Sequence, residues 1–232
     1  MERNSEMRLP SLAILVASLS ALFQGCATSE RIAFLGDSIT EEGNRPGGYV
    51  DLIRQRLKNS YNTPSEVIGA GISGNKVTDL QARLEKDILS KTPNIVVIYI
   101  GINDVWHYQL GIGGTSAERY EAGLRDILAR TSAGGARVVL CTPTVVGEKS
   151  DGTNPLDAML DKYSDITRAV GRSTGTLICD LRKAIIAELK QRNSENKEKG
   201  VLTRDGVHLN EAGNRFVAEE ILKALNYVLR GN

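Results

Sequence analysis

The sequence lacks several features that would assign a protein to a particular class. Basic and acidic residues number 29 and 28, which leaves a formal charge of +1, and no long basic block occurs, so nucleic acid is not expected as a partner. Only two histidines and three cysteines are present, and none of them has metal-ligand spacing. We therefore expect neither a metal ion nor a cofactor.

What remains is the composition of an ordinary globular protein. The 232 residues are 41% hydrophobic and 25% charged, which suffices for one good core and predicts a single folded domain. An apolar stretch, residues 9–23, follows Arg3 and Arg8 and is too short for a comfortable membrane span. This arrangement is typical of the h-region of a secretory signal peptide.

A Gly25-Cys26 pair comes shortly after this stretch and resembles the lipobox of bacterial lipoproteins, in which the cysteine becomes the lipidated first residue. Plain secretion is the alternative, because Phe23 and Gln24 stand where small residues are usual. We expect residues 1–25 to be a lipoprotein-type signal peptide and residues 26–30 a short linker. The protein would then be exported, periplasmic or on the outer surface, and attached to a membrane through a lipidated Cys26.

From residue 31 to the C-terminus, short apolar runs alternate with segments whose apolar residues recur at helical spacing. The predicted strands are residues 32–35, 66–68, 95–100, 137–141 and 177–179, and the predicted helices are residues 49–57, 117–130, 156–173, 183–192 and 211–229. This alternation predicts an α/β domain over residues 31–232, with a mainly parallel sheet of about five strands covered on both faces by helices. The carboxyl ends of such strands share one edge, where sites are built.

Two cysteines, Cys141 and Cys179, lie inside predicted strands. Buried free thiols and a structural disulfide are both compatible with such positions. Free thiols are favoured, because strand interiors seldom bring two cysteines to bridging geometry.

The clearest strand end lies in residues 31–40, RIAFLGDSIT. The apolar run stops at Gly36, Asp37 and Ser38, which is typical of a buried strand that turns into a helix N-terminus. A serine there has its hydroxyl at the sheet edge, where free N–H groups and the positive end of the helix stabilise an alkoxide or an oxyanion. The alternative role for Ser38 is to cap the helix.

More polar groups are predicted at the same edge. Three glycines occur in residues 69–75, after the second strand, and let the backbone aim its N–H groups at a ligand. Asn103 follows the third strand, and Asp205 and His208 precede the final helix. Each of these fits a turn, a cap or a structural histidine when taken singly. Their joint occurrence after successive strands favours a functional site.

Acyl transfer by a serine needs this set of groups: an imidazole base, a carboxylate that orients the imidazole, and preorganised donors for a tetrahedral oxyanion. We therefore predict Ser38 as the nucleophile, His208 as the base and Asp205 as the orienting carboxylate. The predicted oxyanion donors are the backbone N–H groups of Ser38 and Gly74 and the side-chain amide of Asn103.

Four motifs resemble those of the SGNH hydrolases, also called GDSL-type esterases and lipases. They are GDSIT at 36–40, GISG at 71–74, GIND at 101–104 and DGVH at 205–208, in the order of that family. The resemblance spans nearly all of the chain from residue 31 and implies a flavodoxin-like three-layer α/β/α sandwich that hydrolyses esters without a metal ion, with the roles given above. Gly69 departs from the pattern, since many relatives carry an asparagine there. No Gly-x-Ser-x-Gly motif surrounds Ser38, which argues against an α/β-hydrolase.

Two further residues are candidates for substrate binding. Trp106 and His107 directly follow the third motif, and aromatic rings pack well against sugars and acyl chains. Packing beneath the loop of residues 111–114 is the alternative for this aromatic segment. Residues 142–156 are predicted to form a long loop at the same edge, which shapes substrate access.

The expected substrate is a small-molecule or glycan ester. No extended apolar lid is evident, which favours an open site for short acyl groups, acetyl above all, and an exported protein meets acylated carbohydrate. The alternatives are a lysophospholipase or thioesterase activity, and a non-catalytic envelope protein of the same fold that binds carbohydrate. Nothing in the sequence predicts the oligomeric state.

Overall fold

A computed structural model describes residues 30–60 and 65–230. Its strands are β1 (Arg31–Gly36), β2 (Glu66–Gly71), β3 (Ile95–Tyr99), β4 (Arg137–Cys141) and β5 (Leu177–Cys179). Its helices are α1 (Ser38–Gly43), α2 (Tyr49–Ser60), α3 (Val77–Asp87), α4 (Ile102–Gln109), α5 (Ala117–Ala133), α6 (Asp157–Thr174), α7 (Leu181–Arg192) and α8 (Glu211–Leu229), with a short 3-10 helix at Leu89–Lys91. The predicted signal peptide and all of the predicted linker except Glu30 lie outside the described residues.

All five strands are parallel and lie in the order β2-β1-β3-β4-β5. This is the flavodoxin-like order, in which the winding of the chain reverses between β1 and β3. Helices α2 and α8 pack together on one face of the sheet, and α3, α5 and α6 pack in a row on the other. The predicted three-layer α/β/α sandwich with a five-stranded parallel sheet is therefore confirmed.

The middle of the sheet is the most deeply buried part of the fold. Every residue of β3 is buried, and so is every residue of β1 after Arg31. Strands covered by helices on both faces read as continuous apolar runs, which is why these two were visible in the sequence. Asp37 and Ser38 thus follow directly on the carboxyl end of a strand that is firmly packed in the core.

The second strand extends to Gly71, three residues beyond its predicted end. Gly69 belongs to this extension, and a Cβ added there would lie 2.4 Å from the side-chain carbon of Asn44. Asn44 therefore fills the space that a side chain at position 69 would need. This contact explains physically why the chain has glycine at position 69, where many relatives carry asparagine.

Two helices, α3 and α4, are missing from the sequence prediction. The first buries Val77, Leu80 and Leu84, whose spacing of three and four residues is the ordinary helical signal. The second is only eight residues long, and its opening residues Asn103 and Asp104 are typical of a turn. Both helices start at the carboxyl edge of the sheet and so contribute to the site.

Residues 30–60 and 65–230 include no helix that is long and apolar enough to cross a membrane. The same residues hold no group of three or more His, Cys, Asp or Glu side chains that could bind a metal ion. Cys141 and Cys179 are free, buried thiols at paired positions of β4 and β5. Burial raises the pKa of the Cys141 thiol, so it stays protonated and packs as a small apolar group.

Candidate active site

The candidate nucleophile is the first residue of α1. Gly36 permits the tight turn before it, because a Cβ at that position would lie 2.1 Å from the Thr40 hydroxyl oxygen. The helix is capped by Asp37, whose carboxylate accepts a hydrogen bond from the Ile39 N–H at 3.0 Å. The capping role considered for Ser38 thus belongs to its neighbour, and the Ser38 hydroxyl is free to face His208.

Ser38, His208 and Asp205 form one continuous chain of hydrogen bonds. His208 Nε2 lies 3.0 Å from Ser38 Oγ, and His208 Nδ1 lies 2.8 Å from Asp205 Oδ2. Asp205 Oδ1 accepts the backbone N–H groups of Val207 at 3.0 Å and of His208 at 2.8 Å. This geometry suits transfer of the hydroxyl proton to Nε2 while the carboxylate holds the Nδ1 proton.

The charge of Asp205 is stabilised where it lies. Burial alone would raise the pKa of Asp205. Three hydrogen bonds, from the His208 N–H, the Val207 N–H and the His208 imidazole, instead hold that pKa below its usual value. The carboxylate is therefore ionised at neutral pH. An ionised partner at Nδ1 fixes the tautomer in which Nε2 is free to accept a proton.

The loop of residues 72–75, which carries a candidate oxyanion donor, is held from several sides. Gly74 has φ +77°, a left-handed conformation that favours glycine. The N–H and hydroxyl of Ser73 both donate to Glu41 Oε2, at 2.7 and 2.6 Å. Arg83 Nε donates to Asn75 Oδ1 at 2.7 Å. The loop is thereby fixed before any substrate arrives.

Asn103 reaches the same loop from the first turn of α4. Its side-chain nitrogen donates to the Asn75 carbonyl at 3.0 Å, and an amide nitrogen carries a second hydrogen for a further acceptor. The three candidate oxyanion donors, Ser38, Gly74 and Asn103, follow β1, β2 and β3, which are adjacent in the sheet. The structure therefore brings all five residues predicted for catalysis to one edge.

Two buried carboxyl groups lie beneath this edge, and the sequence analysis gave them no role. Burial, together with the charge of Asp104, raises the pKa of Asp37 to about 7. Burial likewise raises the pKa of Asp104 to about 6, although its carboxylate accepts the Val77 N–H at 3.1 and 3.2 Å. Asp104 thereby links the start of α3 to the first turn of α4.

Glu148 is a further residue that the sequence analysis missed. Its side chain is fully buried, and its carboxylate accepts the backbone N–H groups of Val201, Leu202 and Thr203 at 2.7, 2.6 and 2.5 Å. These residues directly precede the segment that carries Asp205 and His208. Glu148 thus anchors that segment to the predicted long loop of residues 142–156, which has no regular helix or strand.

The aromatic segment of α4 divides between the site and its surroundings. The Trp106 ring packs edge-on against the His208 ring, with centroids 6.3 Å apart. Tyr108 instead packs one face of its ring on Gly114, where a Cβ would lie 2.3 Å from the ring, and it stays 44% exposed. His107 is partly buried next to Lys76, and both effects lower the pKa of its imidazole. Trp106 therefore lies beside the triad histidine, and its predicted contact with substrate stays a prediction.

Comparison with known proteins gives a consistent assignment. The model of the GDSL-like Lipase/Acylhydrolase family matches residues 34–216. An acetylxylan esterase of Geobacillus stearothermophilus is 31% identical over 217 residues, which cover 86% of this chain and 95% of that protein. A crystal structure of another acetyl xylan esterase superimposes with a TM-score of 0.81 at 44% identity, covering 84% of this chain and 98% of the other. The chain belongs to this family, as its motifs predicted, and is a carboxylic ester hydrolase.

Two more comparisons bear on the site and on the N-terminus. Solved structures of the Geobacillus enzyme include catalytic mutants with a serine, an aspartate or a histidine replaced by alanine, and there the aspartate precedes the histidine by three positions, as Asp205 precedes His208 here. The residue before that aspartate is a tryptophan, whereas this chain has Arg204 before Asp205. An uncharacterised lipoprotein of Bacillus subtilis is 24% identical over 233 residues, covering 89% of this chain and 93% of that protein.

Proposed function

We propose that this chain is a serine esterase that removes short acyl groups, above all acetyl, from carbohydrate. The observation that carries the proposal is the unbroken chain of hydrogen bonds from Ser38 Oγ through His208 to Asp205. Similarity to two acetylxylan esterases over more than four fifths of the chain supports the choice of acetyl group and of sugar.

Acylation begins when Ser38 Oγ attacks the ester carbonyl carbon and its proton passes to His208 Nε2. The carbonyl oxygen becomes an oxyanion, which the N–H groups of Ser38 and Gly74 and the Asn103 amide stabilise. Asp205 stabilises the imidazolium that forms. The intermediate then expels the sugar oxygen, which takes the proton from Nε2 and leaves as an alcohol, and an acyl-Ser38 ester remains.

Deacylation repeats these events with water. His208 Nε2 takes a proton from the water while its oxygen attacks the acyl carbon, and the same donors hold the second oxyanion. Collapse breaks the bond to Ser38 Oγ, which regains the proton from Nε2, and the carboxylic acid departs. Because the imidazole must be neutral to act as the base, activity falls as the pH drops and His208 becomes protonated.

The triad is tested by p-nitrophenyl acetate hydrolysis with protein that lacks residues 1–25. We expect Ser38→Ala and His208→Ala each to lower kcat/KM by about a thousandfold or more. Ser132→Ala, an exposed serine outside the site, is the matched control and should retain wild-type rates. Equal rates of hydrolysis by wild type and both variants would contradict the proposed mechanism.

Substrate choice is tested with a series of acyl esters. We infer an open site for short acyl groups, so acetyl esters should turn over faster than butyryl esters, and palmitoyl esters slowest. Acetylated xylo-oligosaccharides should release acetate in a Ser38-dependent way. Faster turnover of palmitate than of acetate would instead favour the lysophospholipase or thioesterase alternative.

We also propose that the protein is exported and anchored through a lipidated Cys26. The Gly25-Cys26 pair after an apolar stretch supports the anchor, and the similarity to a lipoprotein supports export. Cells fed a palmitate analogue should label the wild-type protein but not a Cys26→Ser variant. An unlabelled wild-type protein would mean plain secretion.

A further inference from the structure

A pair of charged residues next to the triad has no part in the mechanism given above. Arg204 directly precedes Asp205, and Glu42 lies on α1, one helical turn after Ser38. The guanidinium binds the Glu42 carboxylate with both ends, Nη1 to Oε2 and Nη2 to Oε1, each at 2.7 Å. We propose that Arg204 and Glu42 form a positioning pair that ties the nucleophile helix to the acid–base segment and balances the charge around His208.

The pair connects two parts of the chain that are distant in sequence. Residues separated by 162 positions are joined here, one on the helix that begins with Ser38 and the other on the segment that holds Asp205 and His208. That segment is closed on itself by a bond from the Arg204 N–H to the His208 carbonyl at 2.9 Å. A bidentate guanidinium–carboxylate contact fixes direction as well as distance. The pair therefore helps to fix the Ser38 hydroxyl relative to the His208 imidazole, independently of the hydrogen bond between them.

The Arg204 guanidinium also lies close to the groups of the triad. Arg204 Nε lies 3.8 Å from Asp205 Oδ2, the oxygen that binds His208 Nδ1. The other oxygen of Asp205 already accepts two backbone N–H groups. Arg204 thus adds a cation on the side of the carboxylate where the imidazole lies.

The pair also places two opposite charges near the imidazole of His208. The hydrogen bond from Arg204 and the charge of His208 both act to lower the pKa of Glu42, so its carboxylate is ionised and acts on the imidazole. The charged groups that face His208 are Asp205 and Arg204 from its own segment and Glu42 from α1, while α4 contributes the uncharged Trp106. The Glu42 carboxylate and the Arg204 guanidinium carry opposite charges, so they act on the imidazole in opposite directions.

The pair is partly exposed, at 52% for Arg204 and 25% for Glu42, and surface ion pairs contribute little to stability. Its effect should therefore appear in catalysis rather than in folding. The Geobacillus enzyme has tryptophan, not arginine, at the position before its mutated aspartate. The inference rests on the proposed triad mechanism.

The test uses Glu42→Gln, Arg204→Gln and the double variant, with the pH dependence of kcat/KM for p-nitrophenyl acetate as the readout. Glu42→Gln leaves the Arg204 cation unbalanced. The acidic limb of the pH profile of kcat/KM should therefore move about half a pH unit lower. Arg204→Gln leaves an unbalanced carboxylate, and the limb should move about as far the other way. In the double variant the limb should return to its wild-type position.

The plateau rate reports the mechanical part. Loss of either residue breaks the same tie, so all three variants should lose about three- to tenfold in kcat, without additivity. Arg204→Lys keeps the charge but not the bidentate contact, and should show the lower kcat with a wild-type acidic limb. A matched pair on α5, Glu121 and Arg125, is similarly exposed, and changing both residues to Gln should alter neither quantity.

Opposite shifts that cancel in the double variant support the positioning pair. Limbs that do not move, or losses that add, would overturn it, because a purely structural contact lowers the rate without moving the limb in both directions. Ser38→Ala is measured alongside. If that variant keeps the wild-type rate, the triad mechanism itself fails and the inference fails with it.

Discussion

Asp37 shows how a single buried side chain can set the response to pH. It is almost completely buried beneath Ser38, and its pKa of about 7 compares with 3.8 in an unfolded chain. Between these two values the folded protein binds more protons than the unfolded one, so its free energy of unfolding falls as the pH rises. Asp104, whose pKa is raised to about 6, acts in the same direction.

We therefore expect Asp37→Asn to be more stable than wild type above pH 7, by roughly 2 kcal/mol or more, and to lose much of that advantage near pH 4. Asparagine keeps an oxygen that can accept the Ile39 N–H, so the helix cap survives. Urea unfolding of both proteins at pH 4 and pH 8 measures the difference. Asp165→Asn, an exposed control, should change neither curve, and parallel pH dependence of wild type and Asp37→Asn would contradict the prediction.

Glu148 is the second residue whose replacement should have a large effect. Its two carboxylate oxygens accept three backbone N–H groups, two of them buried, whereas a Gln side chain offers just one acceptor oxygen. Glu148→Gln should lower the free energy of unfolding by about 2–4 kcal/mol. It should also lower kcat, because the segment that carries His208 loses its anchor.

Thermal unfolding and p-nitrophenyl acetate hydrolysis measure the two effects of Glu148→Gln. Glu198→Gln changes an exposed glutamate of the neighbouring segment, and serves as the matched control. A Glu148 variant as stable and active as this control would show that the buried carboxylate does not anchor the segment.

At the scale of elements, α3 supports the loop of residues 72–75, which carries a candidate oxyanion donor, through one side chain. Arg83 Nη2 donates to the Gly36 carbonyl at 2.7 Å and the Ala70 carbonyl at 3.0 Å, which belong to β1 and β2, while Nε binds Asn75. One guanidinium therefore fixes the ends of two strands and the loop that follows the second. Its side chain is only 12% exposed, so water cannot readily replace these contacts.

Arg83→Met should lower kcat for p-nitrophenyl acetate about tenfold or more, with a smaller change in KM, because the loop stabilises the transition state more than the bound ester. The same change on the exposed face of α3, Lys86→Met, is the control and should leave kcat unaltered. Steady-state kinetics of the two variants decide the matter. A rise in KM at constant kcat would assign Arg83 to substrate binding instead.

The elements that could be predicted are those whose signal is local. Strands β1, β3 and β4 are apolar runs, and α5 and α8 carry apolar residues at helical spacing, so their predicted positions agree with the structure. Helix α3 has the same helical spacing of apolar residues but is absent from the prediction. Helix α4 is absent because its first residues are typical of a turn. The four motifs identified the candidate triad because each lies within a few consecutive residues.

The parts that could not be predicted depend on contacts between distant residues. Glu148 reads as one more charged residue of a loop, since its partners follow it by more than fifty positions. The same holds for Glu42 and Arg204, which meet only in the folded chain. Burial of Asp37 is likewise invisible in the sequence, because Asp before a helix is normally an exposed cap.

At the scale of the whole molecule, the direction of β1 separates the start of the domain from the site. Arg31 begins β1 at the amino edge of the sheet, and Ser38 follows its carboxyl end. Six residues of strand span about 20 Å. Changes before residue 30 should therefore leave the chemistry unaltered.

We expect protein lacking residues 1–25 to have the same kcat and KM for p-nitrophenyl acetate, within about twofold, as detergent-extracted full-length protein. The comparison should be made in the same detergent. A tenfold or larger difference would mean that the N-terminal segment contributes to the site, contrary to the separation of the two edges.

This separation also bears on which molecules the enzyme can meet. A linker of residues 26–30, fully extended, reaches at most about 18 Å, while a domain of this size is about 40 Å across. With the anchor proposed at Cys26, the domain could not turn its opposite edge back to the bilayer that holds it. The lipids of that membrane would then be out of reach of the edge that carries Ser38. Polymers that approach from the side away from the membrane could reach it.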